Sequence, residues 1–88
     1  MELESYKFYT LYLAEGCPYC DSALDLVRDS GLEYYAHLLE WQDPQLLEAK
    51  TKYNHKTVPV IVETTVDGSS RTEKFIGGYT EFKTHLEK

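Results

Sequence analysis

From Tyr6 to Leu13 the chain reads Tyr-Lys-Phe-Tyr-Thr-Leu-Tyr-Leu, aromatic and aliphatic with no breaker, which predicts a strand buried on both faces. The period then lengthens. Cys20, Ala23, Leu24 and Val27 stand at i, i+3, i+4 and i+7 behind Pro18, a residue suited to a first helical position, and Gly31 marks the stop, so a helix lies between them. Glu33 to Leu39 reads as a second strand. Asp43-Pro44 supplies an N-cap followed by an N1 proline, opening a helix through Leu46, Leu47 and Ala49 to about Tyr53. Val58 to Val66 predicts a third strand that turns at Asp67-Gly68 and returns from Arg71 to Ile76 as a hairpin. Gly77-Gly78 stops that strand, and Thr80 caps a last helix running to the C-terminus.

The order is therefore βαβαββα, an α/β chain with a four-stranded mixed sheet flanked by helices. No linker, repeat or low-complexity stretch interrupts it, so residues 1–88 form one domain. The first strand, helix and second strand make a βαβ unit, whose strands are expected to be parallel with a right-handed crossover. Ligands in open α/β sheets gather at the C-terminal ends of such strands, and Cys17 stands at that point.

Composition narrows the function. Nine basic against 15 acidic residues give a net charge of -6 and an isoelectric point near 4.9. Nucleic acid is excluded as the main partner, because phosphate binding needs a concentrated basic surface. No apolar run approaches the ~18 residues of a membrane span, and the Met-Glu-Leu-Glu start lacks a basic n-region, so a cytoplasmic protein with no membrane association is expected. The charge is uneven: residues 1–48 hold ten acids and two bases, residues 49–88 five acids and seven bases.

Cys17-Pro18-Tyr19-Cys20 is the main chemical signal. Two cysteines three apart at a strand-to-helix junction read as a redox dithiol. A structural zinc site would need four ligands, and His37, His55 and His85 are scattered at no ligand-like spacing, so no metal is expected. At the N-cap, Cys17 points its sulfur at unpaired helical N–H groups, which favour thiolate and make it the nucleophile. Cys20, one turn inside on the apolar side, stays protonated until it acts as the resolving thiol. The four-residue spacing constrains the bond the two can form, which makes it a working disulfide reducible by cellular thiols.

With these residues the sequence resembles the dithiol glutaredoxins over nearly its whole length. Cys17-Pro18-Tyr19-Cys20, Thr57-Val58-Pro59 and Gly77-Gly78-Tyr79-Thr80-Glu81-Phe82 stand in that family's order and spacing. The resemblance implies a thioredoxin-like fold and an enzyme, a glutathione-disulfide oxidoreductase. Glutathione is its reductant, and protein disulfides and glutathione mixed disulfides are its substrates. It also implies a cis Val58-Pro59 bond beside the dithiol, with the Val58 N–H and C=O pairing with a peptide-like substrate. Tyr19, Gly78 and Tyr79 join the glutathione site; Thr80 meets the γ-glutamyl carboxylate and Glu81 the ammonium. Ribonucleotide reductase is a partner by family analogy, and a monomer is expected.

The sequence departs from this family at one place. Many glutaredoxins carry Lys or Arg three residues before the first cysteine, where this chain has Ala14 followed by Glu15. Lys56, with His55 beside it, is the nearest substitute for binding the glycine carboxylate. The alternative reading is a non-enzymatic carrier of an iron-sulfur cluster with glutathione as co-ligand; a proline after the nucleophile and a second cysteine count against it. Of the remaining residues, Tyr6, Tyr9, Tyr12, Tyr34 and Tyr35 read as sheet packing, His37 as a structural histidine, His85 as exposed, and Trp41 as a cover over one end of the core. The hairpin from Glu63 to Lys74 is longer than the resemblance requires.

Overall fold

The computed structural model describes residues 5–87; Glu2 and Glu4 among the acids, and Lys88, lie outside them. Seven elements follow in order: β1 (Ser5–Ala14), α1 (Pro18–Asp29), β2 (Tyr34–Leu39), α2 (Pro44–Lys52), β3 (Val60–Asp67), β4 (Ser70–Gly77) and α3 (Tyr79–Leu86). The strands form one mixed sheet in the order β2-β1-β3-β4. β1 runs parallel to β2 and antiparallel to β3, and β3 and β4 form the antiparallel hairpin. The predicted α/β architecture is the observed one.

Alternation along β1 sets the two faces of the sheet. Tyr9, Leu11 and Leu13 are buried and share their face with Ile61 and Glu63, the register partners of Leu11 and Tyr9. Cys20, Ala23 and Val27 of α1 and Phe82 of α3 close over that face as one core. On the opposite face Thr10, Tyr12 and Val62 look across a cavity of about 290 Å³ to Gln45, Glu48 and Ala49 of α2. At about 25 cal/mol per Å², residues buried as fully as Leu11, Val27, Ile61 and Phe82 contribute on the order of 1.5–3 kcal/mol each.

Coverage of β1 on both faces holds only for its second half. Ser5, Tyr6 and Lys7 are exposed, because β1 and the β3-β4 hairpin run on beyond the helices, giving the molecule extents of 46 × 26 × 18 Å. β2 is an edge strand whose four central residues, Tyr35 to Leu38, are all exposed. His37 is thus a surface residue stacked on Tyr12 at 5.3 Å between ring centroids. The helix starts are those the sequence predicts, with Pro18 and Pro44 in the first turn and Asp43 accepting from the Gln45 N–H at 2.8 Å. The last helix differs. Its N-cap is Gly78, and the Glu81 carboxylate, in place of the Thr80 hydroxyl, closes the first turn by accepting the Gly78 N–H at 2.7 Å.

Candidate redox site

The turn from β1 into α1 delivers the dithiol. Gly16, at φ 71°, reverses the chain in a conformation that other residues rarely adopt, and Cys17 follows as an extended N-cap at φ -100°, ψ 113°. The Cys17 sulfur accepts the Cys20 N–H at 3.3 Å, and its carbonyl accepts the Asp21 N–H at 3.1 Å. One turn on, the Cys20 sulfur accepts the Ala14 N–H at 3.4 Å. Both thiols are free, Cys17 at 6% exposure and Cys20 at 1%. Burial, reinforced by the hydrogen bond with Cys17, pushes the Cys20 thiol up to about 12, against the opposing pull of the Ala14 N–H.

Two bonds hold this turn to the far end of β2. The Glu15 N–H donates to the Leu39 carbonyl at 3.1 Å, and the Trp41 indole N–H donates to the Glu15 carbonyl at 2.9 Å. Trp41 is half exposed and touches the redox turn, so it is not the core cover that its size predicts.

Beside the turn lies a groove of about 150 Å³ lined by Tyr19, Thr57, Val58, Pro59, Gly78, Tyr79, Thr80 and Glu81. Residues from three separate stretches of the chain meet there. The Val58-Pro59 bond is cis, as the resemblance implies, and both residues are buried. The Tyr19 ring, itself exposed, faces Tyr79 with 6.3 Å between centroids. The glycine pair brings the β4-α3 junction close to this turn: a Cβ on Gly78 would lie 3.7 Å from both the Pro59 carbonyl and His55 Nε2. Gly77, at φ 127°, leaves no room for a side chain beside Glu81. Thr80 is exposed at the groove's edge, with the first N–H groups of α3 open as at any helix start. One oxygen of Glu81 is already committed to Gly78.

Lys56 is the one binding residue expected from sequence that does not line this groove. It lies in an adjoining hollow with Leu47, Lys50, Thr51, Asn54 and His55. His55 links the two spaces, with Nε2 3.2 Å from the Thr57 hydroxyl and its ring edge-on to Phe75 at 5.2 Å. The sequence offers His55 as a scattered candidate metal ligand and as a cation beside Lys56, whereas its contacts make it a strut under Thr57. Among the described residues no three His, Cys, Asp or Glu side chains gather as a metal site would require, and no helix is long and apolar enough to cross a membrane.

Comparison with known proteins agrees with this geometry. The model of the glutaredoxin family matches residues 7–69, a span that includes Cys17, Cys20 and the Thr57-Val58-Pro59 turn. The chain belongs to the glutaredoxin family. The glutaredoxin fold also appears among solved structures. Glutaredoxin 1 from Francisella tularensis superposes with a TM-score of 0.65 at 20% identity, over 93% of this chain and 94% of that one. The thioredoxin pre-protein of Schistosoma mansoni matches with a TM-score of 0.54 at 14% identity, over 92% of this chain and 74% of that one. No curated protein sequence gives a match. Family and thioredoxin-like fold together support a thiol oxidoreductase, with Cys17 and Cys20 spaced as in a Cys-x-x-Cys motif.

Proposed function

We propose that this glutaredoxin is a glutathione-dependent thiol-disulfide oxidoreductase. The observation that carries the reading is the coincidence of an N-cap cysteine, a buried second thiol one turn inside, and a groove formed by Tyr19, the cis-proline turn and the start of α3. The Cys17 thiolate attacks a substrate sulfur, forming a mixed disulfide and releasing the partner thiolate. Cys20 gives up its proton and displaces the bound sulfur, or a glutathione thiol does so in its place; two electrons pass to the substrate, and glutathione restores the dithiol. The high pKa of Cys20 keeps it a thiol at neutral pH until Cys17 carries a substrate.

Glutathione fits the groove as an extended tripeptide: its cysteine pairs with the Val58 backbone, and its γ-glutamyl carboxylate faces Thr80 and the open N–H groups of α3. Glu81 meets the ammonium with its second oxygen, and Lys56, in the adjoining hollow, receives the glycine carboxylate. Disulfide-bonded and glutathionylated proteins are the macromolecular substrates, with ribonucleotide reductase a candidate by family analogy. The reducing chemistry suits a cytoplasmic monomer.

The test couples glutathione reductase and NADPH to reduction of a glutathione mixed disulfide. Steady NADPH oxidation that depends on the protein is expected; its absence overturns glutathione dependence. A stable visible chromophore in a dimer after anaerobic reconstitution with iron and sulfide would mark a cluster carrier in its place.

A further inference from the structure

The hollow next to the groove is basic in an acidic protein. It measures about 390 Å³ and is lined by Leu47, Lys50, Thr51, Asn54, His55 and Lys56, with no acid among them. Lys50 is half-buried, and among the described residues neither Lys50 nor Lys56 forms an ion pair. The contrast with its neighbours is sharp: Lys52 pairs with Glu73 at 3.4 Å, and Glu48 lines the separate cavity on the sheet face. The lysines are not used to cap α2 either. Asn54, at φ 52°, turns the chain back so that the N–H groups of Tyr53, Asn54 and His55 donate to the carbonyls of Ala49, Thr51 and Lys50 at 3.3, 3.2 and 2.9 Å. Two lysines with no acidic partner among the described residues are left lining an open space.

We propose that this hollow selects protein disulfides in which the reactive cysteine is followed by acidic residues. The inference rests on the glutathione reading above for its direction. With the γ-glutamyl end at Gly78 and the cysteine over Val58, the chain beyond the cysteine leads toward Lys56. For glutathione that is one glycine carboxylate. A protein substrate continues, and the hollow has more than twice the groove's volume, about 390 against 150 Å³. Aspartate or glutamate side chains in the positions after the cysteine meet Lys50 and Lys56, and Leu47 offers an apolar rim. The chemistry is that of the dithiol: Cys17 forms the mixed disulfide with the target cysteine as the partner thiolate leaves. Cys20 then closes the protein disulfide, and two thiols are released from the substrate.

The test uses the reduced full-length chain in single turnover with symmetric disulfides of blocked peptides, Gly-Ala-Cys-Asp-Glu, Gly-Ala-Cys-Asn-Gln and Gly-Ala-Cys-Lys-Lys. Each rate is divided by that of the same disulfide with dithiothreitol, which cancels intrinsic reactivity. The acidic peptide should be favoured over the neutral one by roughly three- to five-fold at low salt, the range of an exposed charge contact, and the basic one disfavoured. Lys50→Ala and Lys56→Ala should each shrink that ratio toward one. Lys83→Ala, which removes an equal charge from α3 outside both groove and hollow, should leave it unchanged. Equal ratios for the three peptides, or a ratio untouched by Lys50→Ala, overturn the charge selection alone. Failure to reduce any of the three overturns the disulfide chemistry itself.

Discussion

The Trp41 indole N–H donates to the Glu15 carbonyl at 2.9 Å, tying the loop after β2 to the turn that presents Cys17. Ala14, the last residue of β1 before that turn, gives its N–H to the Cys20 sulfur, so the position of the turn bears on both thiols. Trp41→Phe keeps most of the ring and removes the donor. One neutral hydrogen bond is worth about 0.5–1.5 kcal/mol, and a half-exposed site lets water recover part of it. In a domain of this size about 1 kcal/mol moves the melting temperature by roughly 4–8 °C. A fall of a few degrees is expected by circular dichroism, with faster amide exchange at Glu15 and Gly16. Unchanged exchange would show that the Leu39 bond alone holds the turn.

The two thiols separate by chemistry. Cys17→Ser should abolish all thiol transfer, whereas Cys20→Ser should keep deglutathionylation, which needs one thiol, and lose reduction of intramolecular protein disulfides. With Cys20 pushed up to about 12, iodoacetamide at neutral pH should add one label per reduced chain, located at Cys17 by mass spectrometry. Equal loss of both activities in Cys20→Ser would overturn the assignment, and a first label on Cys20 would reverse it.

Gly77 tests the junction that places α3 on the groove. A Cβ there would lie 2.9 Å from Glu81 Cβ and Cγ, on a backbone at φ 127° that side chains rarely adopt. Gly77→Ala should cost about 1–3 kcal/mol of stability and disturb the Glu81 cap on Gly78. The apparent KM for a glutathionylated substrate should rise with it. A variant that melts like the parent and keeps its KM would mean that the junction relaxes without moving the groove.

What the sequence disclosed followed from local rules. Pro18, Pro44 and Asp43 mark helix starts through positions within the helix itself, and Cys17 is placed by the same helix. Residues whose environment comes from distant elements were harder to read. His85 looks like a surface residue of the last helix, yet α3 packs on the sheet so that its Nε2 lies 2.7 Å from Glu63, the fourth residue of β3. Trp41 looks like core, but the loop holding it ends beside Glu15. Lys56 is adjacent to Thr57 in sequence, and the turn still sends the two to different hollows. The Thr80 cap failed for a local reason that can be read: a glutamate three residues after a candidate cap competes with a hydroxyl, and Gly78-x-x-Glu81 is such a pair.

The buried carboxylate of Glu63 gives the last prediction. Burial raises its pKa, but hydrogen bonds from the Tyr9 hydroxyl at 2.8 Å and from His85 outweigh it, and the net shift is downward. A carboxylate only accepts, so both neighbours donate; the burial of Tyr9 and its bond to Glu63 push the phenol well above its usual range, and it remains a donor. The unfolded chain titrates this group near 4.3, above the folded value. The unfolded state therefore binds more protons in that window, and the stabilisation, complete above it, is lost as pH falls through the lower folded value. Urea midpoints should drop from pH 5 toward pH 3. Glu63→Gln should remove that part of the slope, and Tyr9→Phe should lower stability at pH 7 by about 1.5–3 kcal/mol, the range of a hydrogen bond to a charged group. If Glu63→Gln unfolds along the parent's pH profile, the acid sensitivity of the fold belongs to its surface carboxylates and not to this buried cluster.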